Sequence, residues 1–250
     1  MMITVVSPLH NEAENVTQLI EEIAQACAGL PAFEVVLVDD GSSDNTGKLI
    51  AEAQARYSWL RRVYHPKAGG QSAAVHSGVQ AARGEIVCTL DGDLQNPPAE
   101  IPNLVAPFLA DPAPETLGLV AGQRVGRQDT ASKRWASRFA NSVRAWMLDD
   151  DTRDTGCGLK AFRRDAFLEL PYFNHMHRYL PALFKRHRWE IAHVDVSHRE
   201  RGGGQSKYNN LQRGLVGIHD LIGVAWLLKR RKTARAQEIL VPAADTKAGG

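Results

Sequence analysis

The sequence predicts an α/β fold, a mostly parallel sheet flanked by helices. Three observations carry that expectation. Apolar, β-branched runs alternate along the chain with stretches whose apolar residues recur at helical spacing. The runs are continuous rather than alternating, as in strands buried on both faces. Three of them end in acidic or polar loops, at the end of an open α/β sheet where ligands bind.

Taken in order, Met2 to Ser7 reads as a first strand closed by Pro8, with His10, Asn11 and Glu12 in the loop beyond it. Val16, Leu19, Ile20, Ile23 and Cys27 predict a helix over 13–28, stopped by Gly29 and Pro31. Phe33 to Val38 forms a second strand ending at Asp39, Asp40 and Gly41, and a second helix starts near Thr46. Strand, helix and strand in this order imply a right-handed βαβ unit. Residues 62–65 read as a short strand, and Lys67 to Gly70 as a glycine loop opening a helix that ends near Arg83. A lysine at a helix N-terminus suits a phosphate oxygen, and equally an ordinary loop and cap.

Ile86 to Leu90 is a short buried strand running into Asp91, Gly92, Asp93, Leu94 and Gln95. Side chains two apart on an extended chain point the same way, so Asp91, Asp93 and Gln95 can converge. Oxygen ligands so placed suit Mg²⁺ or Mn²⁺, which in turn binds a diphosphate; the same residue types also make an ordinary acidic turn. Leu117 to Ala121 is a further strand, ending at Gly122, Gln123 and Arg124, where a guanidinium could fork onto phosphate. A helical pattern over 132–148 carries Lys133, Arg134, Arg138 and Arg144. Residues 191–196 form another strand, followed by the glycine-rich stretch from His198 to Tyr208. From Leu211 the apolar residues Leu215, Ile218, Ile222, Ala225 and Trp226 recur at helical spacing, ahead of the basic run Lys229 to Lys232.

Composition bounds the function. At 250 residues, 44% hydrophobic and 23% charged, the chain has the make-up of one large α/β domain or two small ones. A net charge of +2 does not describe a dedicated nucleic-acid binder. The cations gather between Lys185 and Lys232, which points to an anionic partner for the C-terminal half. Cys27, Cys88 and Cys157 are far apart and lack metal-ligand spacing, as expected of reduced core thiols in a reducing compartment. The chain opens directly into a strand, so no signal peptide is expected, and no apolar run reaches the ~18 residues of a membrane span. The first strand is followed by Pro-Leu-His-Asn-Glu, not by the Gly-x-Gly-x-x-Gly of a dinucleotide fold, and no Walker loop is present. Two of the acidic loops therefore suit the donors of a nucleoside, and the third a metal-bound diphosphate.

Seven segments carry a resemblance to a known family: SPLHNEAENV, VVLVDDGSSDNT, GGQSAAVHSG, TLDGDLQNPPAEIP, VAGQRVGR, DTGCGLKAFRRDAF and HRERGGGQSKYNN. In order and spacing they resemble family 2 glycosyltransferases of the GT-A fold, nearest to the polyprenyl- or dolichyl-phosphate glycosyltransferase (dolichyl-phosphate mannosyltransferase-like) branch, over about residues 1–230. The resemblance implies that Pro8, His10 (where the family usually has Tyr), Asn11, Glu12 and Asp40 line a nucleoside pocket, with Asp39 beside it and Gln71 opening the next helix. It implies Asp91, Asp93 and Gln95 as holders of Mg²⁺ or Mn²⁺ and of the diphosphate, and Arg124 and Arg134 as phosphate contacts. Asp154 stands where other inverting relatives keep a base, and His177 with Arg178 matches an element near the acceptor phosphate. Arg199, Arg201, Ser206 and Lys207 belong to a lid expected to close over the diphosphate and exclude water.

A sugar hydroxyl must lose a proton as it attacks, whereas a phosphate monoester is already anionic and needs cations instead. Arg124, Arg134, Arg138, Arg199, Arg201 and Lys207 supply that surplus. The expected activity is inverting, metal-dependent transfer from a UDP- or GDP-linked sugar to polyprenyl phosphate, with Asp93, Arg124, Asp154 and Lys207 doing the chemistry. The alternatives are a soluble family 2 enzyme of cell-surface polysaccharide synthesis, with a saccharide hydroxyl acceptor and Asp154 as base, and a nucleotide-sugar binder without catalysis. The expected organisation is a catalytic domain over 1–210, a basic amphipathic helix over 211–235 that lies on a membrane surface or packs on the core, and a disordered tail over 236–250. The chain is expected on the cytoplasmic face as a peripheral protein, with no nucleic-acid partner and with a homo-oligomer allowed.

Overall fold

The computed structural model describes residues 1–125, 144, 147, 148, 152, 154, 156–199 and 210–230. The elements are β1 (Ile3–Leu9), α1 (Val16–Cys27), β2 (Phe33–Asp40), α2 (Thr46–Gln54), β3 (Leu60–His65), α3 (Gln71–Ala81), β4 (Ile86–Thr89), α4 (Ile101–Leu109), β5 (Leu117–Arg124), β6 (Lys160–Arg163), α5 (Arg164–Leu168), α6 (Leu180–Arg186), β7 (Glu190–Val196) and α7 (Asn210–Lys229). The seven strands form one sheet in the order β3-β2-β1-β4-β6-β5-β7. Only β6 runs antiparallel to its neighbours, so the expected mostly parallel α/β sheet is what the chain forms.

The continuous apolar strands have a direct cause. Alternate residues of each strand feed two different cores. Val5, Val35, Leu37 and Cys88 face α1, α2 and α4, packing with Leu19, Ile23, Ile50 and Phe108. Val6, Val36, Val38 and Val87 face the other way onto α3, α5 and α6, with Val75, Val79, Phe167 and Phe184. Both layers exclude water from the sheet, and the strand ends are left as the polar rim.

Pro8 does not close the first strand, which continues to Leu9 with Pro8 opposite Val38. The reason lies in the ladder. Val6 O accepts the Leu90 N–H, so Val6 faces β4, and Pro8, two residues on, faces the same side. Pairing with β4 has ended at Val6. Proline thus loses no sheet bond there. β2 likewise runs two residues past Val38, which makes Asp39 and Asp40 strand residues rather than loop residues. The first helix begins at Val16, three residues later than expected. Most of the helix expected over 132–148 lies outside the described residues; of its described members, Arg144 and Leu148 are buried. The C-terminal helix forms over Asn210–Lys229, and the expected tail over 236–250 lies outside the described residues.

Candidate active site

The site is built where β1, β2, β4 and β5 end. The β1 and β2 loops are stitched together by short polar side chains. Asn11 sits in the left-handed region (φ 57°), and its Oδ1 accepts the Ser43 N–H at 2.8 Å, while Ser42 Oγ accepts the Asn11 N–H at 3.0 Å. Thr46 Oγ1 accepts the Glu12 N–H at 2.9 Å and donates to Asp44 Oδ1 at 2.6 Å. His10 Nδ1 lies 2.7 Å from the Asp40 carbonyl oxygen, which can only accept, so Nδ1 carries the proton. Its Nε2 is then the acceptor for Asn11 Nδ2 at 3.3 Å.

Asp39 and Asp40 are almost fully buried, at 2% and 4% exposed, and both carboxylates are engaged inside the protein. Asp39 pairs with Arg62 at 2.6 Å and accepts the Ser42 N–H. Asp40 takes the Gly69 and Gly70 N–H groups, each at 2.8 Å, and His65 Nδ1 at 2.6 Å. Those bonds, with the histidine charge, hold the Asp40 carboxyl below the usual range against the upward push of burial. Asp40 therefore fixes the glycine loop that opens α3. Gly70, at φ 87°, makes the turn into the helix.

α3 in turn presents one side chain to Asp91 and one to His177. Gln71 Nε2 donates to Asp91 Oδ1 at 2.7 Å. Ser72 Oγ lies 2.7 Å from His177 Nδ1 and accepts the His177 N–H at 3.4 Å. The hydroxyl can donate to Nδ1 or accept from it, according to the tautomer of the ring. Burial, then the charges of Lys160 and Arg178, push the His177 pKa down to about 3, so the ring is neutral at physiological pH. His177, Gln71, Asp91, Lys160 and Leu180 line one small cavity.

Asp91 to Gln95 is not the extended continuation of β4 that the alternation argument requires. β4 ends at Thr89, a turn follows, and Leu94 is left-handed (φ 59°). Asp91 and Asp93 nonetheless face one another electrostatically. Burial first, then the Asp93 carboxylate, raise the Asp91 pKa, while Lys160 and Arg124 pull it back. Gln95 offers its N–H to Asp93 Oδ1 and its carbonyl to the Arg199 N–H. Asn96 Nδ2 donates to Asp91 Oδ2 at 3.0 Å. The Asn96 side-chain oxygen is buried with no partner among the described residues. The neighbouring Asp91 and Asp93 carboxylates, and a buried acceptor that the bound water of a cation would satisfy, fit a hard divalent ion.

At the end of β5, Arg124 grips Asp154 with two bonds, Nε to Oδ2 at 2.6 Å and Nη2 to Oδ1 at 2.8 Å. Gln123, 2% exposed, accepts the Asp154 N–H through Oε1 at 2.9 Å. The Arg199 guanidinium is taken by Glu22 of α1 at 2.9 Å. Arg134, Arg138, Arg201, Ser206 and Lys207 lie outside the described residues.

Sequence reasoning passed over Lys160 and Gly158. Lys160 is 4% exposed, donates to the Cys157 carbonyl, and lies within charge reach of Asp91 and Asp154. A lone lysine among Leu159, Ala161 and Phe162 was the available signal. Gly158 lies flat against Asp91: a Cβ there would come within 2.2 Å of Oδ2, so a larger residue would displace the carboxylate.

A mostly parallel sheet with its carboxylates at the strand ends is the architecture of a GT-A glycosyltransferase. Glucosyl-3-phosphoglycerate synthase from Mycobacterium tuberculosis, solved with Mn²⁺, UDP and glucosyl-3-phosphoglycerate, superposes with a TM-score of 0.68 at 22% identity, over 91% of this chain and 79% of that one. The same enzyme with Mg²⁺ and UDP gives 0.64 at 22% identity, over 91% and 79%. The chain belongs to Glycosyl transferase family 2, whose sequence profile matches residues 4–170. Among its relatives, undecaprenyl-phosphate 4-deoxy-4-formamido-L-arabinose transferase of Pseudomonas aeruginosa is 38% identical over 216 residues, or 84% of this chain and 61% of that protein. The protein of the same name in Proteus mirabilis is 35% identical over 212 residues, covering 84% and 64%. The chain thus spans about three-fifths of the length of these relatives.

Proposed function

We propose that this protein transfers a sugar from a nucleoside diphosphate sugar to polyprenyl phosphate, with inversion and with Mg²⁺ or Mn²⁺. The observation that carries the acceptor class is the bidentate Arg124–Asp154 pair. A carboxylate gripped at both oxygens by a guanidinium is poorly placed to take a proton from a sugar hydroxyl, whereas an anionic phosphate oxygen requires no base. Similarity to undecaprenyl-phosphate transferases over 84% of the chain supports the same class.

In this reading Asp91 and Asp93, with Gln95, would hold the metal, which when bound would supply charge neutralisation for the departing diphosphate. Gln71 and Asn96 set the Asp91 carboxylate from either side, and Gly158 backs it. Asp154 orients Arg124 toward the phosphates. The acceptor phosphate oxygen bonds to the anomeric carbon as the bond from that carbon to the diphosphate oxygen breaks, and no proton moves. Pro8, His10, Asn11, Glu12 and Asp40 form the nucleoside end. Arg134, Arg138, Arg201, Ser206 and Lys207 complete the phosphate sites and lid, joined by Arg199 once it leaves Glu22. The lipid acceptor puts the protein at a membrane surface, and its three free buried cysteines fit the cytoplasmic face.

The test is transfer from a panel of radiolabelled UDP- and GDP-sugars, with and without undecaprenyl phosphate in detergent. A metal-dependent product that extracts into organic solvent is expected from at least one donor. Donor binding with no lipid product from any sugar would contradict the reading.

A further inference from the structure

The apolar face of α7 is not spent on the core. Val224 is buried, and with Leu221, Leu227 and Leu228 it packs on the cluster around Phe184 and Leu183. On the opposite side Ile218, Ile222 and Trp226, each four residues from the next, are 56%, 57% and 60% exposed. They make a continuous stripe along a helix about 30 Å long. Gly217 and Gly223 face open space as well. Singly exposed apolar residues are ordinary, but three large ones aligned on one helix mark a surface with a partner.

The charge around the stripe selects that partner. The only acid of α7, Asp220, turns inward and pairs with His175 at 2.8 Å. Lys229 and Arg230 close the stripe at its C-terminal end, and the Arg230 guanidinium lies 5.7 Å from the centre of the Trp226 ring. Aliphatic side chains, a tryptophan and cations on one helix face, with no anion, are complementary to the acyl boundary and headgroups of an anionic bilayer. No helix among the described residues is long and apolar enough to cross a membrane, so contact is along the helix, not through it.

We propose that the Ile218–Ile222–Trp226 face of α7 seats the protein on an anionic lipid surface. This deepens, and rests on, the reading that the acceptor is a lipid phosphate. The inner side of α7 links that seat to the site. Tyr179 donates to the Gly217 carbonyl at 3.4 Å, and His175 holds Asp220. These two residues bracket the turn Met176–Arg178, whose His177 lines the cavity beside Asp91. A bilayer under α7 therefore brings lipid headgroups to the side of the molecule that carries this turn and its cavity.

The experiment is co-sedimentation of the full chain with phosphatidylglycerol-rich vesicles and with phosphatidylcholine vesicles, for the wild type and for Ile222→Asp. Transfer to undecaprenyl phosphate in detergent is measured in parallel. The wild type should bind the anionic vesicles more tightly, and salt should weaken it. Ile222→Asp, at an exposed position, should keep its melting temperature and its detergent activity while losing about tenfold or more in vesicle partitioning. A wild type that ignores anionic vesicles, or an Ile222→Asp variant that binds as well as wild type, would overturn the inference. So would a wild-type dimer in light scattering that Ile222→Asp dissolves, which would make a second copy the occupant. Vesicle binding without any transfer in detergent would instead sink the acceptor assignment and leave the lipid seat standing.

Discussion

Asp91 is the residue on which the proposed site turns, and its surroundings predict how metal binding would respond to pH. Burial and the neighbouring Asp93 raise its pKa, so protons compete with the cation at this carboxylate. Mn²⁺ affinity, followed by calorimetry on the donor-free protein, should fall as pH is lowered from neutral toward the carboxylate range, and Asp91→Asn should remove most of it at every pH. His177 carries a second pH signature. Its folded pKa of about 3 lies below the ordinary histidine value of 6.5. The unfolded chain therefore binds the extra proton first, and stability conferred by the neutral ring is full above 6.5 and drains away as pH falls toward 3. His177→Gln should flatten thermal stability against pH in that window; an unchanged slope would assign the acid sensitivity to other groups. Gly158→Ala makes the sharpest steric test. A methyl group at 2.2 Å from Asp91 Oδ2 must displace the carboxylate, and metal affinity should drop about 10–100-fold with the fold intact.

At the scale of elements, the strands were legible because burial on both faces leaves an unbroken apolar run, as in β1, β2 and β5. Their C-terminal ends were not. Pro8 reads as a stop, and it fails to stop β1 because the neighbouring β4 has already ended on that side. Asp39 and Asp40 read as loop because they are charged, yet their partners Arg62, His65 and the Gly69–Gly70 amides lie in other elements, beyond the reach of a local pattern. β6 was missed for the same reason. It is four residues long and contains two cations, and its strand character comes from pairing with β4 and β5. The acidic loop was located by its composition, but the geometry expected of it, an extended alternation, gives way to a turn with left-handed Leu94. One element-scale consequence concerns α3. Asp40→Ala removes the acceptor for two loop amides and for His65 and leaves those donors unpaired, so it should cost on the order of 2–3 kcal/mol in thermal or denaturant unfolding. It should also loosen Gln71 and raise the Michaelis constant for the donor.

Across the whole molecule, two sets of groups meet at one edge of the sheet. The first half brings the strand-end carboxylates of β1, β2 and β4, which suit a nucleoside and a metal. The chain from β5 onward brings Arg124, Lys160 and the basic helix α7, which suit phosphate and an anionic surface. Of this, the cation-rich stretch from Lys185 to Lys232 was visible in the sequence as a charge asymmetry, whereas Lys160 was not. The pairing of Arg124 with Asp154 was not, because thirty residues separate them and only the fold joins them. It is also the feature on which the proposed choice of a lipid phosphate over a sugar hydroxyl rests.

The most direct test is therefore single-turnover transfer to undecaprenyl phosphate by wild type and Asp154→Asn, with donor affinity measured on the same preparations. If the acceptor needs no base, Asp154→Asn should keep donor binding and lose only about 10-fold in rate, through a less well held Arg124, with no change in the shape of the pH–rate profile. Loss of all transfer with donor binding intact, or disappearance of an acid limb from the wild-type profile, would make Asp154 a general base and return the saccharide-hydroxyl acceptor to first place.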